Sequence, residues 1–447
     1  MKNVLILGAG QSSPYLIDYM LRHSQENDWF INVCDRDIQL AKSRVNGHGR
    51  GNAIEFDVND ENMRNTQIKN ADIVINLLSP SFQYQIALDA LHHGKHVITA
   101  SYENMRVKAM NKDALRKGIL ILNEMGLDPG IDLMTAMNII HGIKENNGVI
   151  RSFISYGSGI PAPEVLSNPF RYCVTWNPRN VVMAGEYGAQ YKENGKVKVL
   201  PYHEVFQRTW QVDVEGIGTL EAYPNRDSMA YMDVFNLQNA ETVVRGTLRY
   251  PGWSETWLQI VKLGISNENL NIPGLPDKSY SQFMEMFLPH GDITGRLDQR
   301  IARFLGISPT GKIMENLRWL GLFSNEKIGG AVKTPADVMI DLIKRKLPLP
   351  ADGRDMVVLI HEMDAEYPES GRKEKVISTM VDYGVPGSFT AIAKTVGTPA
   401  AIAAKLVLNG DLPITGCQIP THPAIYSRVL PELEAEGLSI KEKVIDL

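Results

Sequence analysis

The sequence predicts an α/β protein: an open parallel sheet flanked by helices, then a mixed-sheet α+β region and a small helical one. Three observations carry this prediction. An apolar strand at residues 4–7 runs into Gly8-Ala9-Gly10 and a helix start, strand and helix patterns then alternate up to Asn123, and after Arg151 longer strands and hairpins take over.

Residues 4–7, Val-Leu-Ile-Leu, read as a buried parallel strand. Gly8 permits the tight turn behind it, Gly10 lets the backbone approach a pyrophosphate, and Ser13-Pro14 supplies an N-cap followed by a first-turn proline. The helix N-terminus then faces the phosphates, so Gly8, Gly10, Gln11, Ser12 and Ser13 form the expected dinucleotide cradle. Ser13 stands where the third glycine of G-x-G-x-x-G belongs, which predicts looser packing of helix on strand.

A second strand at 30–35 ends on Asp35, about 25 residues after the glycines, where a carboxylate binds the ribose hydroxyls of NAD. Arg36 follows at once and suits the 2'-phosphate of NADP. The two neighbours argue in opposite directions, and the expectation is a modest preference for NAD. A third strand, 53–58, brings Asp57 near the adenine edge, and a fourth, 71–78, is broken by Ser79-Pro80. A helix over 82–93 ends at Gly94, a fifth strand over 96–100 leads into Ser101-Tyr102, and another helix ends at Gly118. A sixth strand, 119–123, stops at Gly126-Leu127-Asp128-Pro129-Gly130, on the edge where such sheets bind ligands. His92, His93 and His96 cluster at a helix C-terminus, where they complement the dipole, and no metal is expected.

Beyond Arg151, strands are predicted at 151–158, 211–214 and 242–250, with a turn at Asn194-Gly195. Between about 265 and 350 the β signal gives way to short helices, among them 297–305 and 313–322. Strands return at 355–363 and 375–382, before an alanine-rich helix at 389–408 that is buried on much of its circumference.

The 447 residues suggest about three domains, and 44% hydrophobic with 22% charged residues is ordinary for a soluble globular protein. The net charge of -5 comes with no long basic run, so nucleic acid is not an expected partner. No apolar run is read as reaching the roughly 18 residues that span a bilayer, and 4–7 is too short for a signal-peptide core. A cytoplasmic location without a membrane partner is expected. Cys34, Cys173 and Cys417 are odd in number and widely spaced, as fits reduced thiols.

Several motifs carry a resemblance through nearly the whole chain: Ser101-Tyr102, Asn123-Glu124-Met125-Gly126-Leu127-Asp128-Pro129-Gly130-Ile131-Asp132, Pro161-Ala162-Pro163-Glu164, Tyr223-Pro224-Asn225-Arg226-Asp227-Ser228, Arg245-Gly246-Thr247-Leu248-Arg249-Tyr250 and Ala393-Lys394-Thr395-Val396-Gly397. Together they resemble the saccharopine reductase family, the saccharopine dehydrogenases that form glutamate. The resemblance implies a variant Rossmann dinucleotide-binding domain at 1–130 and about 388–410. It implies a mixed-sheet α+β domain at 131–264, 353–387 and 411–447 that holds the substrate and often pairs subunits, and a helical domain at 265–352. A homodimer acting on a small amino-acid substrate in lysine metabolism is the expectation. Two departures stand out: Gly157 where members often carry a cysteine, and Leu133 where a histidine often follows Gly-Ile-Asp, so neither group is essential here. Fungal members also lack an acid at the place of Asp35, so cofactor choice is argued from this sequence.

By this resemblance the reaction interconverts saccharopine with glutamate and 2-aminoadipate 6-semialdehyde through an imine. A substrate with three carboxylates needs local cations, and the planar fork of arginine suits a carboxylate best. Arg226 in a Pro-Asn loop and Arg249 near the end of a long strand are the candidates, with Thr247 and Leu248 beside Arg249 in the same motif. Asp128 is placed to bind the substrate ammonium, although an Asp before proline is also a common turn former. Tyr102, next to Ser101, is assigned a carboxylate contact or a proton. Leu127, Asp128 and Pro129 are assigned to the nicotinamide, and Trp176 and Arg179 to the pocket, Trp176 on the cofactor side. No residue stands out as a general acid or base, and hydride transfer belongs to the cofactor. A carboxynorspermidine type of imine reduction is the enzymatic alternative, and a catalytically silent NAD(P)-binding sensor is the alternative from another class.

Overall fold

Strand β1 (Lys2–Leu7) is buried over its last four residues, which is why it reads as an unbroken apolar run. The structure, a computed structural model, describes residues 1–291 and 294–447. It forms two compact units, Met1–Ile150 with Met356–Leu447, and Arg151–Asp355.

In the first unit β1 pairs in parallel with β2 (Trp29–Asp35) on one side, and β2 pairs with β3 (Gly51–Glu55). On its other side β1 pairs with β4 (Ile73–Asn76), which continues into β5 (His96–Thr99) and β6 (Leu120–Leu122). A seventh parallel strand, Gly416–Gln418, joins the far edge beside β6. The order therefore reverses between β1 and β4, and the crevice at their carboxyl ends is where sheets of this type bind a dinucleotide. This is the α/β fold that the strand and helix alternation predicts. Asp355–Tyr367, Arg372–Tyr383 and Ile440–Asp446 form an antiparallel ribbon.

In the second unit Thr242–Arg249 lies between Val149–Pro161, to which it is parallel, and Gly218–Pro224, to which it is antiparallel. Trp210–Val214 extends this mixed sheet. The hairpin Ala189–Glu193 and Lys196–Leu200 turns at Asn194 (φ 49°) and Gly195 (φ 76°), as the Asn-Gly pair predicts.

The structure departs from the sequence reading in three places. The helical segment 265–352 lies inside the second unit instead of forming a third domain. Its helix Lys312–Leu320 packs on the buried helix Trp253–Leu263, where the Asn316 amide donates to Thr256 Oγ1 at 2.8 Å, so its apolar faces close on that unit's own core. The boundaries also shift. Helix Ile131–Glu145 packs on Pro423–Ala435 within the first unit, and the 411–447 segment divides between the parallel sheet and the ribbon. Finally, Ala391–Asn409 is long and apolar enough to cross a membrane by length and composition, with a mean hydropathy of 1.4, contrary to the expectation that no run would be. Of its most apolar window 78% is buried, and its lysines are paired, Lys394 with Asp382 at 2.9 Å and Lys405 with Glu432 at 2.6 Å. This is the pattern of a core helix.

Candidate functional site

The glycine turn has the shape its sequence requires. Gly8 has φ +106° and donates its amide to Cys34 O at 2.8 Å, and a Cβ there would lie 3.2 Å from the Leu77 backbone at the end of β4. At Gly10 a Cβ would meet nothing within 4 Å, so the space above this backbone is open. Ser13 does not act as the N-cap expected of it. Its hydroxyl turns back to Gly10 O at 2.9 Å, and helix Pro14–Arg22 begins with no side-chain cap and no acid in its first turn. Uncapped amides and the positive end of the dipole are what an anion needs. The close approach that the missing third glycine would serve occurs elsewhere: a Cβ on Gly397 would sit 3.0 Å from the Leu16 backbone nitrogen and Cβ, so helix Ala391–Asn409 is the element pressed against this first turn.

Asp35 ends β2 with both oxygens engaged, Oδ2 accepting from the Ala9 amide at 2.7 Å and Oδ1 from the Asp37 amide at 2.9 Å. Arg44 Nε donates to Ala9 O at 3.2 Å, so an acid and a base hold the turn from either side. Arg36 points away from Asp35 to an exposed ion pair with Asp57 at 3.1 Å. The Asn59 amide and then Arg36 hold the Asp57 carboxyl below its ordinary range.

The loops after β5 and β6 are laced together. Glu124, at φ +62°, donates its amide to Ser101 O at 3.0 Å, Met125 N reaches Thr99 O at 2.9 Å, and Glu124 Oε1 accepts from Glu103 N at 2.9 Å. Gly130, at φ +146°, lies so close to Gly126 that a Cβ would fall 2.0 Å from its oxygen. This folds Leu127-Asp128-Pro129 into a tight turn, with Leu127 and Pro129 buried and Asp128 half-buried. The Tyr102 hydroxyl donates to Asp128 Oδ1 at 3.2 Å, which brings together two residues chosen separately from the sequence.

In the second unit Arg249 is only 4% exposed. Nη1 donates to Ser158 Oγ at 2.9 Å and to Leu248 O at 2.8 Å, while the buried Nε has no acceptor. The rings of Tyr172, Trp253 and Tyr223 lie 5.1, 5.7 and 5.9 Å from its guanidinium carbon. No carboxylate lies within ion-pair distance among the described residues. Arg226 is exposed at φ +50°, 4.6 Å from the Tyr187 ring centre. Trp176 Nε1 donates to Tyr172 OH at 3.1 Å, behind the Arg249 cluster. Thr247 is half-buried beside Gly157 and Tyr223 in the sheet, whereas the Leu248 side chain is fully buried and its carbonyl already accepts from Ser158 and Arg249. Arg179 is tied to Glu268, which neutralises its charge.

Comparison with known proteins adds to this geometry. Residues 4–122 match the saccharopine dehydrogenase NADP binding domain, and residues 126–438 match the saccharopine dehydrogenase C-terminal domain. The chain belongs to the saccharopine dehydrogenase family. It is 30% identical to the L-glutamate-forming, NADP(+) saccharopine dehydrogenase of Schizosaccharomyces pombe, over 100% of both chains, and 31% identical to that of Saccharomyces cerevisiae, over 99% of both. The solved apo saccharopine dehydrogenase (L-Glu forming) of Saccharomyces cerevisiae superposes with a TM-score of 0.89 at 30% identity, covering 100% of both chains. Membership in the saccharopine dehydrogenase family makes this chain an oxidoreductase that uses a nicotinamide cofactor. The open space over Gly10 and the uncapped helix start fit the pyrophosphate of such a cofactor.

Sequence reasoning missed Gln83, Asn123 and Ser158 as supports of the site. Asn123 opens the Asn123-to-Asp132 motif, but Gln83 and Ser158 carry no local signal, because a buried amide or hydroxyl shows its partner only in the fold.

Proposed function

We propose that the protein interconverts saccharopine with glutamate and 2-aminoadipate 6-semialdehyde. The observation that carries this reading is Arg249, a buried guanidinium among aromatic rings with an unused Nε and, among the described residues, no carboxylate partner. Such a cation is costly to bury alone and is stabilised by an anion brought in by a ligand. A carboxylate of the substrate is the fitting anion, and Arg226, exposed and also without a carboxylate partner among the described residues, serves a second one.

The cofactor, when bound, supplies or takes up the hydride at the carbon next to the secondary amine. The Tyr102 and Asp128 pair serves the amine: Asp128 draws the ammonium, and Tyr102 OH, already donating to Asp128 Oδ1, is the group through which a proton leaves or returns. Excess water then hydrolyses the imine to amine and aldehyde. In the other direction the same groups hold the imine for reduction.

For the cofactor, the similarity to an NADP binding domain and to NADP(+) saccharopine dehydrogenases favours NADP, against the preference for NAD expected from Asp35. We read the site as accepting both. Arg36 leaves its exposed pair with Asp57, a pair worth little, for a 2'-phosphate, and Asp35 takes the ribose hydroxyls of NAD.

The test is nicotinamide absorbance with purified protein and saccharopine, in parallel with carboxynorspermidine. Saccharopine-dependent reduction of NADP or NAD supports the reading. Turnover confined to carboxynorspermidine rejects it, and tight cofactor binding without turnover of either substrate favours a sensor.

A further inference from the structure

The side chain of Gln83, at the start of helix Gln83–His93 behind β4, is 3% exposed and sits among the three loops that follow β4, β5 and β6. Its Nε2 donates to Tyr102 O at 3.1 Å and to Asn123 Oδ1 at 2.9 Å, and its Oε1 accepts from Asn104 Nδ2 at 2.7 Å. Asn104 in turn caps the short helix Met105–Lys108 by accepting from Val107 N at 2.9 Å. Asn123 is fully buried, and its backbone N–H donates to Gln418 O at 2.9 Å. One amide therefore joins the main chain of Tyr102 to the first residue of the loop that carries Asp128.

We propose that Gln83 is a positioning residue for the reaction, fixing Tyr102 so that its hydroxyl meets Asp128. The inference rests on the role given above to Tyr102 and Asp128. The physical argument is one of satisfaction. A glutamine amide presents two donors and one acceptor group, and here both kinds are matched at a buried position. Leucine at this place removes the hydrogen bonds that Gln83 makes with the Tyr102 carbonyl, the Asn123 oxygen and the Asn104 amide, so the β5 loop loses this anchor and the phenol shifts.

The experiment is a double-mutant cycle on kcat with Gln83→Leu and Tyr102→Phe, together with cofactor binding by fluorescence and the 19F spectrum of a fluorotyrosine at position 102. Gln83→Leu is expected to lower kcat roughly 10- to 100-fold, the range for a misplaced reacting group, with cofactor Kd unchanged. The loss disappears in the Tyr102→Phe background, because a residue acting only through the phenol has nothing left to position. The 19F line of Gln83→Leu shifts and changes width. If Gln83→Leu proves too unstable, Asn104→Asp serves instead. It keeps the cap on Val107 N but sets an acceptor against Gln83 Oε1, which turns the glutamine amide over and breaks both of its donor bonds.

An unchanged kcat and 19F line in a folded variant overturns the proposal, as does an effect fully additive with Tyr102→Phe. A wild type without saccharopine turnover fails the functional reading alone, since the 19F arm still decides whether Gln83 holds Tyr102.

Discussion

Arg249 Nη1 donates to the hydroxyl of Ser158 across 2.9 Å, and that hydroxyl in turn donates a hydrogen bond to Leu248 O at 2.6 Å. One edge of the guanidinium is thus spent on the sheet that carries it, while Nε is left over. The protein orients the group, and on the proposed reading a substrate carboxylate completes it.

Arg249→Ala is therefore expected to cost about 1.5–3 kcal/mol of transition-state binding, a fall in kcat/KM for saccharopine of roughly tenfold to hundredfold. Cofactor Kd should be little changed. Arg226→Ala, at an exposed site, should fall at the lower end of that range, and steady-state kinetics beside fluorescence titration of the cofactor check both. Equal activity in wild type and both variants rejects the carboxylate anchors.

The two glycines of the turn should behave differently. Gly10→Val leaves the fold intact, because nothing lies within 4 Å of its Cβ direction, but fills the space over the backbone and abolishes cofactor binding. Gly8→Ala meets a positive φ and the Leu77 backbone, and should cost roughly 1–3 kcal/mol of stability. Thermal melts with and without cofactor separate the two effects. Normal cofactor binding by folded Gly10→Val contradicts the reading of the turn.

Arg36→Ala should weaken NADP by about 1.5–3 kcal/mol, the worth of a charge-assisted contact, and leave NAD nearly unchanged. Asp35→Ala should do the reverse, and it also frees the Ala9 amide that Asp35 Oδ2 now holds. Titration of both variants with both cofactors tests this. NADP affinity indifferent to Arg36 excludes it as the phosphate ligand.

His96, at the start of β5, accepts the Leu120 amide at Nδ1 across 3.0 Å, which requires the unprotonated nitrogen. Burial, and then the charge of Lys2, push its pKa below the ordinary 6.5. As pH falls through 6.5 the unfolded chain binds a proton that the folded chain refuses, so this contribution to stability is full above 6.5 and lost towards the folded pKa. The melting temperature of the wild type should drop across this acid window. In His96→Gln the slope should be shallower but not flat, since burial also lowers the pKa of His93. An unaltered slope in His96→Gln argues that other groups govern the acid limb.

The sequence by itself determined the glycine turn, the alternation that makes the parallel sheet, the Asn194-Gly195 hairpin and the motifs holding Tyr102, Asp128, Arg226 and Arg249. Each is written in a run of neighbours, as a period of burial or a turn that only certain residues allow. Only the tertiary structure decided what those residues meet. Ser158 and Arg249 lie 91 residues apart and Gln83 and Asn123 lie 40 apart, and no local pattern announces that their polar atoms pair. It also brought Gly416–Gln418 to the edge of β6 and set the helical segment against Trp253–Leu263. A strand of three residues carries almost no periodicity, and the face a helix buries is read from its sequence without the surface that covers it. Both were settled when distant segments closed over shared apolar area.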